Sequence, residues 1–299
     1  MDGARDKVFA QAIGCLTPLR AAQLAALPGQ DTVEELRLRA GRLPAVKTAA
    51  GERETGLAPV TPQELREVVS RAARYSVHSY AESMKQGFIT LAGGHRLGLC
   101  GTATLENGQV VGVRMLSSVN LRVARQHRQI GDEIAGWIGT VRPRSVLVLS
   151  PPGYGKTTLL REWIRLTAEQ GWTVAVADER SELAALADGV PQFDLGRCTD
   201  VLEGCTKKQA ALMLLKTMSP ALLALDEITA PEDVEAVSLC AHCGTAVLAS
   251  AHAEGVRDLR GRPLYRALLE LGVFDCAVVI GCQNGRRTYR MEELEETPC

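Results

Sequence analysis

Residues 146–165 read VLVLSPPGYGKTTLLREWIR, and no other stretch constrains the fold of the chain as strongly. An apolar run, typical of a strand buried on both faces, ends in a turn rich in proline and glycine. An amphipathic helical pattern follows, from Leu159 to Ala168. A strand that turns through glycines into a helix is the building unit of parallel sheets, so the sequence predicts an α/β domain around this stretch.

The turn fits the Walker A pattern GxxxxGK[ST] over residues 150–157 at every position except the first, where Ser150 stands in place of glycine. In such a loop, backbone N–H groups and the dipole of the following helix hold a phosphate. Lys156 supplies a cation to the β- and γ-phosphates, and the Thr157 hydroxyl can ligate Mg²⁺. Because serine is small and tolerates turn conformations, we expect it to relax the strand exit without abolishing binding. The predicted nucleotide-binding residues are Ser150, Pro151, Pro152, Gly153, Tyr154, Gly155, Lys156, Thr157 and Thr158.

Further apolar runs alternate with helical patterns after this stretch; they read WTVAVAD, PALLALDE, GTAVLASAH and CAVVIG. This alternation is typical of a mostly parallel sheet with helices on both faces. The residues before it instead mix short strands, Gly-Gly and Asn-Gly turns, and helices over about 5–26 and from Thr61 onward. The sequence therefore predicts an α+β domain over 1–126, a linker with a short helix over 127–143, and a P-loop domain over 144–299. The acidic end of the chain, MEELEETPC, is expected to be a solvated tail.

Charged and imidazole side chains follow three of the apolar runs directly. Asp226 and Glu227 end PALLALDE, Glu179 follows WTVAVAD, and His252 ends GTAVLASAH. Because the carboxyl ends of parallel strands meet at one edge of a sheet, we expect these side chains to lie beside the phosphate loop. Asp226 would help to hold Mg²⁺, Glu227 would act as general base on the attacking water, and the other two could sense the γ-phosphate or position water. Taken singly, a charge such as Glu179 is more often a surface group, and a histidine such as His252 is more often a hydrogen-bonded core residue. The Asp-Glu pair is also compatible with a solvated strand end, but the phosphate loop upstream favours the functional interpretation. The acidic stretch also contains Asp178, Arg180 and Glu182.

The bulk composition does not favour a nucleic-acid partner. The chain has 34 Lys+Arg against 35 Asp+Glu, a net charge of −1, and only 4% aromatic residues. The densest basic residues of the N-terminal part, Arg37, Arg39 and Arg42, are offset by Glu34 and Glu35. Besides an ATP-hydrolysing protein without a nucleic-acid partner, two alternatives stay open: a nucleic-acid-dependent P-loop ATPase, and a nucleotide-binding scaffold without turnover. The scaffold would not need a water-activating carboxylate after its strand.

Nine cysteines are scattered along the chain, and its first residues do not read as a secretory leader, which is typical of reduced cytosolic thiols. The close pair Cys240 and Cys243, with His242 between them, lacks the second CxxC of a zinc site, so we expect core packing rather than metal binding. No apolar window reaches membrane-spanning length. The sequence thus predicts a cytoplasmic protein.

Taken together, these stretches resemble the stage III sporulation protein AA family, a branch of the secretion-type (type II/IV, pilus-motor) P-loop ATPases. The second half resembles that family's phosphate loop, acidic box, Walker B strand and histidine box, in order; the matching stretches are PPGYGKTTLLRE, DERSELA, KTMSPALLALDEI and GTAVLASAHAEG. The first half resembles its N-terminal signature in EELRLRAGRLPAV, YSVHSYAESMKQGFITLAGGHRLGLCGTA and SSVNLRVARQ. The resemblance covers nearly the whole chain.

The resemblance implies a RecA-like, Mg²⁺-dependent ATPase of the mother-cell cytoplasm. It also implies a homo-oligomer, a hexameric ring, attached to the membrane through membrane-embedded sporulation transport proteins between mother cell and forespore. Carried over by position, Lys156 and Thr157 fall on the loop lysine and hydroxyl, and Glu179 falls on the acidic-box carboxylate. Likewise the Walker B acids correspond to Asp226 and Glu227, and the histidine box to His252.

Ring ATPases of this class need a cation from a neighbouring subunit at the transferring phosphoryl group. The candidates are Arg122 and Arg125 at the end of the first domain, with Arg180 as a third. The first two are equally compatible with the outward positions of an edge strand. His95 and Arg96 in GGHRLG belong to an interdomain face or flank a hairpin turn, and the turn is favoured.

Overall fold

A computed structural model of the chain describes residues 7–73, 87–126, 130–139, 141–283 and 286–294. These residues belong to two compact units, Met1–Arg125 with Ala185–Gln192, and Gln126–Ala184 with Phe193–Cys299. The segment Ala185–Gln192 thus belongs to the first unit, whereas the sequence assigned it to the P-loop domain. The start of the predicted N-terminal helix, part of the YSVHSY signature, part of the predicted linker and the end of the acidic tail lie outside the described residues.

The first unit contains a six-stranded antiparallel sheet in the order β3-β2-β1-β6-β5-β4. Its strands are β1 Glu35–Arg39, β2 Ala45–Thr48, β3 Gly51–Glu54, β4 Phe88–Thr90, β5 Arg96–Glu106 and β6 Gln109–Arg122, and its helices are α1 Lys7–Ala12, α2 Pro18–Ala25 and α3 Pro62–Ala73. The β5–β6 hairpin turns at Asn107 and Gly108, which both have positive φ, 50° and 78°. An Asn-Gly pair suits a two-residue hairpin turn because both residues tolerate that region, so this predicted turn is confirmed.

Helix α3 forms where the sequence predicts it, with Pro62 at its first position and the Thr61 hydroxyl accepting the N–H of Glu64 at 3.0 Å. Its buried residues recur at helical spacing and pack into the core of the first unit; they are Leu65, Val68, Val69 and Ala72. The Glu64 side chain pairs with the Arg20 guanidinium at 2.7 and 2.9 Å instead of completing a capping box. This buried, bidentate ion pair joins α2 to α3.

The second unit contains a seven-stranded sheet in the order β13-β12-β7-β11-β10-β8-β9, parallel except for the pairing of β12 with β13. Its strands are β7 Val146–Ser150, β8 Val174–Asp178, β9 Thr199–Glu203, β10 Leu222–Glu227, β11 Ala246–His252, β12 Cys276–Gln283 and β13 Arg286–Glu293. The five predicted apolar strands are all present. The sequence missed β9 and β13, and it described residues 291–293 as a solvated tail although they pair with β12.

Helices cover both faces of this sheet. They are α4 Gly131–Ile134, α5 Lys156–Glu169, α6 Lys207–Thr217, α7 Pro231–Cys243, α8 Val256–Arg260 and α9 Pro263–Glu270. Leu147 and Leu149 of β7 pack into a core shared with α6, α7 and α9. Because side chains alternate along a strand, the remaining residues of β7 face α5, which packs on the opposite side. None of the described helices combines the length and the hydrophobicity needed to cross a bilayer.

The Arg20–Glu64 pair generates a stability prediction. Glu64→Ala should lower the free energy of unfolding of the first unit by about 3 kcal/mol, because Arg20, which is 5% exposed, would remain buried without its counter-charge. Urea denaturation followed by circular dichroism, with hydrogen exchange of the α3 amides, measures this. Glu67→Ala, at an exposed position of the same helix, is the matched control and should change little. A double variant Arg20→Met/Glu64→Leu that is as unstable as Glu64→Ala would contradict the assignment of the loss to an uncompensated charge.

Candidate functional site

The phosphate-loop stretch runs from the end of β7 to the start of α5. Between them, Gly153 and Gly155 have φ values of 81° and 96°, a region that glycine enters without steric cost. A β-carbon placed on Gly155 would also lie 3.1 Å from Cζ of Arg287. The loop thus has glycine where the backbone conformation or a close approach requires it. Successive N–H groups in such a turn, followed by a helix N-terminus, form an anion-binding concavity.

Ser150, at the position where the Walker A pattern has glycine, is the last residue of β7. It is fully buried and pairs in register with His252 of β11. Its hydroxyl donates to the carbonyl of Pro151 at 2.9 Å. It is absent from the described residues with positive φ, so serine fits this position without backbone strain. Serine therefore continues the strand regularly at this position, and its expected effect on the geometry of the loop stays a prediction.

Lys156 begins α5 and directs its ammonium toward the ends of the neighbouring strands. Nζ lies 3.3 Å from the Ser150 carbonyl and 2.6 Å from Nδ1 of His252. Nε2 of the same imidazole lies 2.8 Å from Oε2 of Glu227. An ammonium can only donate, so Nδ1 accepts and Nε2 carries the proton that is donated to the carboxylate. Lys156, predicted from the phosphate loop, thus forms one hydrogen-bonded chain with His252 and Glu227, which were predicted from two strand ends.

The Lys156 side chain is 7% exposed. Burial lowers the pKa of its ammonium below the usual value, while the negative charges of Glu227 and Asp226 oppose this shift. A buried cation with a carbonyl and an imidazole as its neighbours gains stabilisation from any anion placed in the loop. This environment suits a lysine that binds phosphate.

Asp226 lies one residue before Glu227, on the face of the sheet covered by α5. It is 3% exposed, and its Oδ2 has no hydrogen-bond partner among the described residues. Burial, with repulsion from Glu182 and Asp178, raises the pKa of this carboxyl from 3.8 to about 6. A buried oxygen without a partner that is repelled by other carboxylates is stabilised by a divalent cation. These features fit Mg²⁺ held by Asp226 and the half-buried Thr157 hydroxyl, with phosphate and water as the other ligands.

No cluster of three or more His, Cys, Asp or Glu side chains that could hold a metal exists in the described part of the chain. Cys240 is buried in the core, and its thiol donates to the carbonyl of Ala236 at 3.3 Å, whereas Cys243 is exposed. These contacts agree with the expected core packing for Cys240, whereas Cys243 lies outside the core.

The acidic stretch after β8 is organised by Asp178, which is fully buried. Its carboxylate accepts the backbone N–H groups of Glu182, Leu183 and Ala184 at 2.8–3.1 Å. These bonds fold the chain back over the strand end and fix where Glu182 lies. Asp178 therefore positions the loop, and its influence on Asp226 is electrostatic.

Arg161 of α5 is a site residue that the sequence analysis missed. Its guanidinium donates to the carbonyl of Glu182 at 2.7 and 3.2 Å, and it lies 3.8 Å from the centre of the Phe193 ring. Burial lowers its pKa to about 10, while Asp178, Glu182 and Asp226 oppose the shift. Its spacing in the sequence could have identified it, because Arg161 follows Thr157 by four residues and so lies on the same face of the helix.

Glu179 is held by a second missed residue, Lys207 of α6, which is 2% exposed. The Lys207 ammonium lies 2.6 Å from Oε2 of Glu179 and 3.5 Å from Oδ1 of Asp233. The other oxygen of Asp233 accepts the N–H groups of Thr229 and Ala230 at the start of α7. Of the two predicted catalytic carboxylates, Glu227 contacts the Lys156–His252 chain and Glu179 is anchored to Lys207.

The arginines predicted to act across subunits have different surroundings. Arg122 is exposed at the end of β6, and Arg180 is exposed directly after Glu179. The Arg125 guanidinium donates to the carbonyls of Val33 and Gln30 at 2.5 and 2.9 Å, so this side chain takes part in the structure of the first unit.

The GGHRLG stretch forms the turn between β4 and β5, as the sequence favoured. His95 is buried, and its Nδ1 accepts the N–H of Ala124 at 3.1 Å, while the Arg96 guanidinium lies 3.3 Å from the centre of the Phe88 ring. Both side chains thus pack within the first unit.

Comparison with known proteins gives matches over most of the chain. A model of the family described as sporulation stage III, protein AA matches residues 16–290. The stage III sporulation protein AA of Bacillus subtilis (strain 168) is 35% identical over 259 residues, which cover 84% of this chain and 84% of that protein. The family match includes the phosphate loop and the strand ends described above.

Solved structures with a similar fold include an ATPase and a pilus retraction motor. The ATPase DotB of Legionella pneumophila superposes with a TM-score of 0.55 at 15% identity, covering 88% of this chain and 78% of that chain. The pilus retraction motor PilT with bound ADP superposes with a TM-score of 0.60 at 14% identity, covering 89% and 80%. At these identities the likeness concerns the fold, and it confirms the predicted α/β class.

The Asp226 carboxyl generates a pH-dependent prediction. Its pKa in the folded chain, about 6, exceeds its ordinary value of 3.8, so the folded state holds the proton more tightly. Below about pH 4 the carboxyl is protonated and does not lower the free energy of unfolding. Its ionisation lowers that free energy increasingly from about pH 4 to about pH 6, and the loss persists at higher pH. Asp226→Asn should raise the free energy of unfolding by about 2 kcal/mol at pH 7.5 without Mg²⁺, and by much less at pH 4.

Urea denaturation at the two pH values measures this difference. Asp200→Asn, an exposed change on β9, is the control and should alter stability little at either pH. An Asp226→Asn chain that is less stable than the wild type at pH 7.5 would show that the carboxylate is compensated by groups other than a bound cation.

Proposed function

The chain belongs to the sporulation stage III, protein AA family, and we propose that it binds and hydrolyses ATP as the motor or assembly ATPase of a transmembrane complex in endospore formation. The observation that supports this most directly is the chain from Lys156 through His252 to Glu227, with the unpaired oxygen of Asp226 beside it. A phosphate-binding cation, a carboxylate able to take a proton and a metal-binding oxygen meet at one sheet edge. These are the parts that phosphoryl transfer to water requires.

In this proposal the phosphate chain of ATP lies in the loop formed by residues 150–158, and Lys156 turns from the Ser150 carbonyl and His252 to the β- and γ-phosphates. Thr157 and Asp226 would hold Mg²⁺, which when bound neutralises charge on the phosphate oxygens. Nε2 of His252 keeps its proton and continues to donate a hydrogen bond to Glu227, while Nδ1 loses its contact with Lys156. The imidazole thus couples the position of the lysine to the orientation of the carboxylate.

Glu227 is the general base, because its carboxylate lies beside the loop and is 15% exposed, which leaves room for water. It would take the proton from the water that attacks the γ-phosphate. Glu179, paired with Lys207, would orient that water from the neighbouring strand end. Asp178, through the backbone bonds that it accepts, keeps the acidic loop in place.

The biological setting of the proposal follows from the family. The chain would work as a homo-oligomer, a hexameric ring in the mother-cell cytoplasm, attached to the membrane by membrane-embedded sporulation proteins. A cation from a neighbouring subunit would stabilise the negative charge on the transferring phosphoryl group; the candidates are Arg122, Arg125 and Arg180. PilT, which shares the fold, holds ADP in its solved structure, and this supports a nucleotide as the ligand of the loop.

The proposal predicts a slow ATPase that depends on Lys156, Glu227 and oligomerisation. Phosphate release per subunit should rise with protein concentration, because each site needs a cation from its neighbour. Lys156→Ala should abolish ATP binding, and Glu227→Gln should keep binding but lower turnover about a hundredfold or more, since it removes the general base. Colorimetric phosphate release and isothermal titration calorimetry measure the two effects separately.

Glu254→Gln is the matched control, because Glu254 is an exposed acid two residues after His252. Its turnover should equal that of the wild type. Full activity in Glu227→Gln would remove that residue as base and transfer the role to Glu179. Bound ATP without phosphate release at any protein concentration would support a scaffold, and stimulation by DNA or RNA would support a nucleic-acid-dependent enzyme.

A further inference from the structure

The antiparallel strands at one edge of the second unit extend beyond the phosphate loop. Strand β12 runs parallel to β7, and their last paired residues are Val279 and Leu149. Because β7 ends at Ser150 while β12 continues to Gln283, the end of β12 reaches roughly 10 Å further along the strand direction. The start of β13, which pairs with this end of β12, therefore lies past the strand exit from which the loop departs.

Arg287, near the start of β13, directs its guanidinium at the loop. A β-carbon on Gly155 would lie 3.1, 3.2 and 3.4 Å from Cζ, Nη1 and Nε of Arg287. Gly155 directly precedes Lys156, and its φ of 96° belongs to the turn that shapes the loop. The guanidinium thus lies in the space that the missing side chain of Gly155 leaves open.

Within the described ranges, no side chain neutralises the charge of Arg287. Its side chain is exposed, and no hydrogen bond or ion pair joins it to another residue in the described ranges. An arginine carries five N–H donors in a planar fork that matches phosphate oxygens, and it is protonated at all ordinary pH values. A guanidinium with unused donors beside an anion-binding loop is suited to receive the same anion as that loop.

We propose that Arg287 binds the phosphate chain of the nucleotide, from the same subunit that supplies the phosphate loop. This assignment rests on the proposed function, because the ligand is the nucleotide of that site. It adds a second cation, beside Lys156, to the phosphate loop. It differs from the role proposed for Arg122, Arg125 and Arg180, which would act on the site of a neighbour.

The alternative occupant of such a guanidinium is the flat face of the adenine base, through stacking. Phosphate is favoured because the guanidinium lies beside the glycine next to Lys156, and that lysine is the phosphate-binding residue of the loop. The two possibilities differ in one measurable property. A phosphate contact is retained when the base and the sugar are removed from the ligand, whereas a base contact is lost.

The test is calorimetric binding of ATP, ADP and inorganic tripolyphosphate to the full chain with Arg287→Ala, Arg287→Lys or Arg286→Ala. Arg287→Ala should weaken ATP and tripolyphosphate alike by about tenfold, the usual worth of one charge-assisted hydrogen-bonded contact. Arg287→Lys keeps the charge and should recover part of this loss. Arg286→Ala removes the same charge from the adjacent, oppositely directed position of β13 and should bind as the wild type does.

The outcomes separate this inference from the function on which it rests. Weaker ATP binding with unchanged tripolyphosphate binding would overturn the phosphate assignment in favour of the base. Unchanged or tighter ATP binding in Arg287→Ala would overturn it as well, and tighter binding would mean that the guanidinium blocks the loop. If the wild type does not bind ATP, or Lys156→Ala binds normally, the proposed function itself fails. Equal thermal unfolding of all variants excludes misfolding as the cause.

Discussion

The buried ammonium of Lys156 is the interaction on which the arrangement of the site depends. Its partners come from the ends of two strands, the Ser150 carbonyl of β7 and the His252 imidazole of β11, and Glu227 of β10 follows as the partner of the imidazole. The sheet order places β7, β11 and β10 side by side. The hydrogen-bonded chain therefore crosses the sheet edge one strand at a time, and a strand order in which β7, β11 and β10 were not neighbours would separate its members.

The same sheet order concentrates negative charge at its next position. Asp178 ends β8 beside β10, and its backbone bonds bring Glu182 back toward Asp226. Arg161 of α5 is attracted to all three carboxylates, and Lys156 and Lys207 are attracted to Asp226. Burial and the repulsion from Glu182 and Asp178 outweigh these cations, because the pKa of Asp226 is still raised to about 6, and its Oδ2 has no hydrogen-bond partner among the described residues. The protein thus carries in its folded state an electrostatic cost that a divalent cation relieves, a common property of sites held ready for a ligand.

The sequence predicted the functional side chains at the strand ends, but not the residues on the helices that hold those side chains in place. Apolar strands, two glycines and a lysine are local features, so the loop, Glu227 and His252 could be predicted together. Arg161 and Lys207 could not, because each reads as an ordinary charged residue of an amphipathic helix until the fold shows what it faces. The edge strands β9 and β13 were missed since their polar residues lack the apolar run of a central strand. The segment Ala185–Gln192 belongs to the first unit through packing, which no local pattern encodes.

Ser150 shows why a motif should be taken apart by the physical role of each position. Gly153 and Gly155 adopt positive φ, and Gly155 also borders a guanidinium, so both need to lack a side chain. Position 150 requires neither a positive φ nor the absence of a side chain, because its backbone still pairs within the sheet. A hydroxyl there gains a bond to the next carbonyl. The glycine usual at this position is therefore replaceable wherever the strand continues regularly to the turn, whereas the two later glycines are required by the geometry of the loop itself.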